Sequence, residues 1–139
     1  MTVRQVANVV ANENHDVTPA PSSPGTLQEA KTAQANAVMN ADYQFGANRQ
    51  NVVPTAPSTV TTGLANSPQY QQALTAARTA FLQQNLGTDP TGNRVFFNNR
   101  FNNDAGPRSI GGGQQTVFKQ YGPFTIGGGP MYTLIYNNP

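Results

Sequence analysis

The sequence predicts an α+β fold, one domain over residues 1–139, with a helical lobe of about three helices and a small antiparallel β-sheet in the C-terminal third. Three observations carry this. Val6, Val9 and Val10 recur at helical spacing near the start of the chain, and residues 67–87 form a helical run bounded by Ser-Pro and Gly. Beyond about residue 94 the chain switches to short β-branched and aromatic segments punctuated by glycine triplets. A length of 139 residues suits one buried core.

Taken in order, Thr2 and Gln5 make a capping box for a first helix that frays after Glu13 into Asn14-His15-Asp16. Thr18 to Gly25 contains three prolines, which lack amide donors and restrict their neighbours, so this stretch reads as a loop. Thr26 and Glu29 suggest a second capping box. The alanine-rich helix that follows runs to Asn40, with Leu27, Ala30, Ala37, Val38 and Ala41 available for packing. Gly46 to Ser67 has two prolines and little periodicity and reads as a long ordered loop. Ser67-Pro68 starts a third helix and Gly87 stops it, with Ala73, Leu74, Ala77, Phe81 and Leu82 as its apolar face. Asp89-Pro90-Thr91-Gly92 is a turn into a short strand, Arg94 to Asn98. Thr116–Gln120, Phe124–Ile126 and Met131–Tyr136 are the remaining strand segments. The glycine triplets lack the Lys-Ser/Thr and the strand-to-helix context of a phosphate loop.

Composition removes several function classes. The net charge is +2, and Arg4, Arg49, Arg78, Arg94, Arg100 and Arg108 are scattered with no basic run, so no nucleic-acid partner is expected. There is no cysteine, which excludes thiolate nucleophiles and thiolate metal sites, and His15 is the single histidine. A two-histidine zinc site cannot be assembled, and neither a metal nor an organic cofactor is expected. No run approaches the roughly 20 apolar residues of a membrane span. No basic segment followed by an apolar one opens the chain in the manner of a signal peptide. Charged residues make up only 10% of the chain, so its surface rests on neutral amides, which suit hydrogen bonding to sugars as well as to water.

Glu13 is the residue with the clearest chemical promise. Val6, Val9, Val10 and Glu13 fall at i, i+3, i+4 and i+7, which aims the carboxylate along the apolar face. A carboxyl held beside apolar surface favours its protonated form and becomes a proton donor near neutral pH. The plainer alternative is that Glu13 ends the helix and turns to solvent.

The order of elements resembles the bacterial cell-wall hydrolase family related to spore-cortex-lytic enzymes, which cleave the glycan strands of peptidoglycan. Three segments spanning residues 3 to 98 carry the resemblance. They are the early helix ending in Val9-Val10-Ala11-Asn12-Glu13, the small-residue helix running into Val38-Met39-Asn40, and Asp89-Pro90-Thr91-Gly92 followed by Val95-Phe96-Phe97-Asn98. The chain departs from the family in carrying Ala41, where arginine usually follows the asparagine, and Gly127 to Tyr132 in place of a Gly-x-His-x-Phe ending. The resemblance implies a lysozyme-like domain with Glu13 as general acid, peptidoglycan glycan strands as partner, and action at the cell envelope or outside the cell. Such a location would require delivery by a carrier, by lysis or from a larger parent polypeptide.

Cleavage of a β-1,4 glycosidic bond needs a proton on the leaving oxygen, and ordinary hydrolysis adds a second carboxylate about 5 Å or about 6.5–9.5 Å away. The chain has six acids in all. Glu29 is assigned to a cap and Asp89 to its turn, and Asp16 and Asp42 are the conceivable partners. A single-acid route, in which a group of the sugar itself is the nucleophile, gives an anhydro product as lytic transglycosylases do. Tyr43, Phe97 and Tyr132 are candidates for stacking on sugar rings, and Asn40, Thr91 and Asn98 for bonding to acetamido groups. Strand alternation places one of Phe96 and Phe97 in the core, and Asn98 reads equally as a turn residue. Two other classes fit the composition: a non-catalytic structural or glycan-binding module of a phage or secretion particle, and an inactive wall-binding relative.

Overall fold

The computed structural model describes residues 1–17, 24–101, 106–126 and 129–139, without the side chains of 24–26, 101 and 126. Most of the Thr18–Gly25 loop, the Thr26 side chain of the second capping box, Asp104 and Gly127-Gly128 therefore lie outside what is described. Helix α1 covers Val3–Glu13 and begins with the expected capping box: Gln5 N donates to Thr2 Oγ1 (3.1 Å) and Thr2 N donates to Gln5 Oε1 (2.9 Å). Val6, Val9 and Val10 are buried.

Helix α2, Pro24–Phe45, runs past the expected end at Asn40, because nothing from Ala41 to Phe45 breaks a helix before Gly46 at φ +54°. The expected loop over 46–67 contains three single turns: a 3-10 turn Gly46–Asn48, α3 (Arg49–Val52) and α4 (Thr62–Ala65). Thr61 nucleates α4 by accepting from Leu64 N, a local cap that apolar periodicity does not register. Helix α5, Pro68–Leu86, starts on the Ser67 cap and stops at Gly87 in the left-handed region, as the sequence indicates. Its packed face is Tyr70, Ala73, Leu74, Ala76, Ala77 and Ala80, whereas Leu82 faces solvent.

Strands β1 (Phe96–Phe101), β5 (Gly129–Tyr136) and β4 (Val117–Ile126) form an antiparallel sheet in the order β1-β5-β4. β4 joins two of the expected strand segments through an irregularity between Tyr121 and Phe124. Gly122 lies there at φ +125°, where an added Cβ would come within 2.9 Å of the Met131 carbonyl oxygen. Strands β2 (Arg108–Ile110) and β3 (Gly113–Gln115) make a separate hairpin. Its two-residue turn, Gly111-Gly112, has positive φ at both positions, the conformation of the tightest hairpin turns.

Alternation along the central strand β5 divides the interior in two. Met131, Thr133 and Ile135 face the helices; with Phe97, Tyr121 and Phe124 from the flanking strands, Met131 and Ile135 join one core with α1, α2 and α5. Leu134 and Tyr136 pack on the other face with Val95, Ile110, Val53 and Ala41. Phe97 is thus the inward member of its pair, and Phe96 packs on the second core against Tyr136, ring centroids 5.5 Å apart.

Candidate functional site

Glu13 is the last residue of α1 and is half-buried, pointing neither into the core nor freely into water. Its Oε1 accepts a hydrogen bond from Ala56 N at 2.8 Å. Burial pushes its pKa up from the ordinary 4.5, and the Ala56 N–H pulls partly against that shift. The C-terminal end of α1 is the negative pole of the helix dipole, which also disfavours the anion. With Oε1 engaged as an acceptor, the proton of the neutral acid belongs on Oε2.

The stretch that meets Glu13 is strapped across α1. Asn12 Nδ2 donates to Pro57 O (2.9 Å) and Thr59 O (2.8 Å), and Asn8 Nδ2 donates to Ser58 O (2.8 Å). Tyr70 OH donates to Asn8 Oδ1 (2.8 Å), tying the strap to α5. Irregular backbone is held here by side-chain amides in place of a sheet ladder.

Beneath Glu13 lies a closed group of buried amides and a hydroxyl. Gln34, fully buried on α2, donates through Nε2 to Thr133 Oγ1 (3.1 Å), Asn99 Oδ1 (3.3 Å) and Asn14 Oδ1 (3.3 Å), while Asn14 Nδ2 donates to Gln34 Oε1 and to Val10 O. Thr133 Oγ1 donates to Asn99 Oδ1 (2.7 Å), and Asn99 Nδ2 donates to Glu13 O (3.1 Å). The end of α1 is therefore fixed to α2, β1 and β5 around one satisfied polar centre. Sequence reasoning passes over Asn14, Gln34, Asn99 and Thr133; the one signal for Gln34 is its place between Ala33 and Ala35 in a small-residue helix.

A second polar group anchors Asp89. Its Oδ1 accepts from Thr91 N (2.8 Å) and Thr91 Oγ1 (2.7 Å), and its Oδ2 accepts from Asn40 Nδ2 (2.9 Å) and Asn93 N (3.2 Å). Asn40 Nδ2 also donates to Arg94 O (2.8 Å) and Gln84 Nε2 donates to Asn40 Oδ1 (3.0 Å). As expected, Asp89 serves its own turn. Asn40 and Thr91 are part of that turn's attachment to α2 and α5.

The six sugar-contact candidates do not converge on Glu13. Asn40 and Thr91 are buried with their polar atoms engaged internally, and Phe97 is 5% exposed with its ring in the helix-facing core. Tyr43 is 91% exposed, nine residues or about 13 Å along α2 from Gln34. Asn98 and Tyr132 lie on the sheet face opposite Asn99 and Thr133, where Tyr132 packs on the second core. Of the conceivable second carboxylates, Asp42 lies 3.5 Å from Arg49 Nη1, and Asp16 is exposed, 3.9 Å from His15 Nδ1.

Glu29 lines a cavity of about 480 Å³ between α2, α5 and β4, and its expected cap with the Thr26 side chain lies outside the described residues. Glu13 is not among that cavity's lining residues. Lys31 is 1% exposed, donates to Gln72 Oε1, and has its pKa lowered to about 8 by burial. Among the described residues no three histidine, aspartate or glutamate side chains come together as a metal-ligand set, and no helix is long and apolar enough to cross a membrane. Comparisons with protein-family models, with curated proteins and with solved structures give no match.

Proposed function

We propose that the protein cleaves the glycan strands of peptidoglycan through a lysozyme-like site, with Glu13 as the general acid. The observation that supports this most is the setting of Glu13: a half-buried carboxyl at a helix end, its pKa raised by burial, with one oxygen held by Ala56 N and its backbone braced by Asn99. In this reading Oε2 delivers the proton to the leaving glycosidic oxygen. Among the described residues, Asp42 and Asp89 are engaged elsewhere and Asp16 is exposed, which favours the single-acid route in which the sugar's own acetamido or hydroxymethyl group is the nucleophile. Contacts to sugar would come from acceptors around Glu13, such as Asn12 Oδ1 and the carbonyl oxygens of Thr55 and Ala56, because the donors there are engaged within the protein.

The internal use of Asn40, Thr91 and Asp89 favours a second reading, a non-catalytic structural or glycan-binding module in which these residues are purely architectural. Clearing of purified insoluble peptidoglycan by the wild type and by Glu13→Gln, with co-sedimentation as a separate measure of binding, separates the two. The enzyme reading expects clearing by the wild type alone and co-sedimentation by both. Co-sedimentation without clearing by the wild type supports the module.

A further inference from the structure

The cavity lined by Glu29 lies at the β4 edge of the sheet, with β5 between it and β1, the strand whose Asn99 braces Glu13. Its about 480 Å³ falls within the size range of small-ligand sites. The walls differ in kind. Glu29 and Thr32 stand on α2, Thr79 and Gln83 on α5, and Lys119 and Tyr121 on β4.

Two features give the cavity chemical direction. Glu29 and Lys119 bring opposite charges to different walls, and among the described residues neither is in an ion pair. Tyr121 is 7% exposed and packs into the helix-facing core, so its ring is held in place with only a small part of it bordering the cavity, and Lys119 Nζ lies 5.2 Å from its centroid. The Thr79 hydroxyl and the Gln83 side chain also line the cavity, and Gln83 Oε1 accepts from Asn36 Nδ2 at 2.7 Å, which holds that amide in place. A neutral sugar would leave both charges unused. A small molecule carrying a carboxylate at one end and an ammonium at the other would pair with each.

We infer that this cavity binds a short zwitterionic peptide or amino acid, its carboxylate toward Lys119, its ammonium toward Glu29, and its apolar middle against Tyr121. The inference is independent of any role for Glu13, because the two places share no lining residue and sit at opposite sheet edges.

The test is an amide-proton NMR titration of the full chain with alanyl-alanine in its L,L and D,D forms, repeated with the N-acetylated and the C-amidated dipeptides and with N-acetylglucosamine. Saturable shifts at Thr79, Gln83 and Tyr121 with either zwitterionic form are expected. Removal of one charge, by blocking an end of the peptide or by Glu29→Gln or Lys119→Gln, is expected to weaken binding about tenfold or more. Both variants alter exposed side chains, so their spectra should otherwise match the wild type. The inference is overturned if neither zwitterionic form shifts these amides, if blocked peptides bind as well as free ones, if both variants bind normally, or if only the sugar binds.

Discussion

At the scale of single residues, two ionisable groups govern how the molecule should respond to pH. Glu13 has a folded pKa above 4.5, so the folded state holds its proton more tightly than the unfolded chain does. Its contribution to stability is present below about pH 4.5 and is lost as pH rises through the folded value. Glu13→Gln keeps a neutral acceptor for Ala56 N and should be at least as stable as the wild type at pH 7, with that pH dependence removed; thermal melts from pH 4 to pH 8 check this. Wall-clearing activity should fall along the same limb, because the acid form is the proton donor. Lys31 has the opposite sign. Burial lowers its pKa from 10.5 to about 8, so stability should rise between about pH 8 and about pH 10.5, where the folded form releases a proton that the unfolded chain keeps. Lys31→Met should raise the melting temperature at pH 7 and flatten that rise, since Gln72 is exposed and regains water as a partner.

Among the elements, α2 carries the least of its role in its own sequence pattern. Its small apolar residues pack as expected, but Gln34, Asn36 and Asn40 also point inward, and only the partners on other elements explain why. Apolar periodicity cannot reveal a buried amide whose partners, such as Thr133, lie 99 residues away. Gln34→Ala takes one hydrogen-bond partner each from Asn14, Asn99 and Thr133 and opens a buried cavity, and should cost about 2–4 kcal/mol. Asp89→Ala frees Asn40 and Thr91 from the same acceptor and should cost about 2–3 kcal/mol. Chemical denaturation of each variant measures both. By contrast, α1, the start and stop of α5 and the Asp89 turn were legible, because caps, prolines and glycines act locally and carry their signature in adjacent residues. The β2–β3 hairpin was missed even though Gly111-Gly112 marks its turn, since its strands are three residues each and carry little alternation.

For the whole molecule, β5 is the shared wall of two cores, with Ile135 on one side and Leu134 on the other. Ile135→Ala and Leu134→Ala should each cost about 2–5 kcal/mol and shift a single unfolding transition, seen alike by far-ultraviolet and tyrosine signals. Separate transitions would mean that the two cores unfold independently. The α+β class was legible at this scale because helical and strand patterns occupy different parts of the chain. The candidate site was legible only at Glu13. Its surroundings come from the 55–59 strap and from β1 and β5, and the side chains taken for sugar contacts are largely used in the protein's own packing. The most direct test of the central claim is mass spectrometry of the muropeptides that wild type and Glu13→Gln release from purified peptidoglycan. Glycan fragments from the wild type and none from the folded variant are predicted, with anhydro-muramyl ends for the single-acid route and reducing ends for hydrolysis with a second carboxylate. No release by the folded wild type, or equal release by both proteins, would contradict the assignment of Glu13 as the acid.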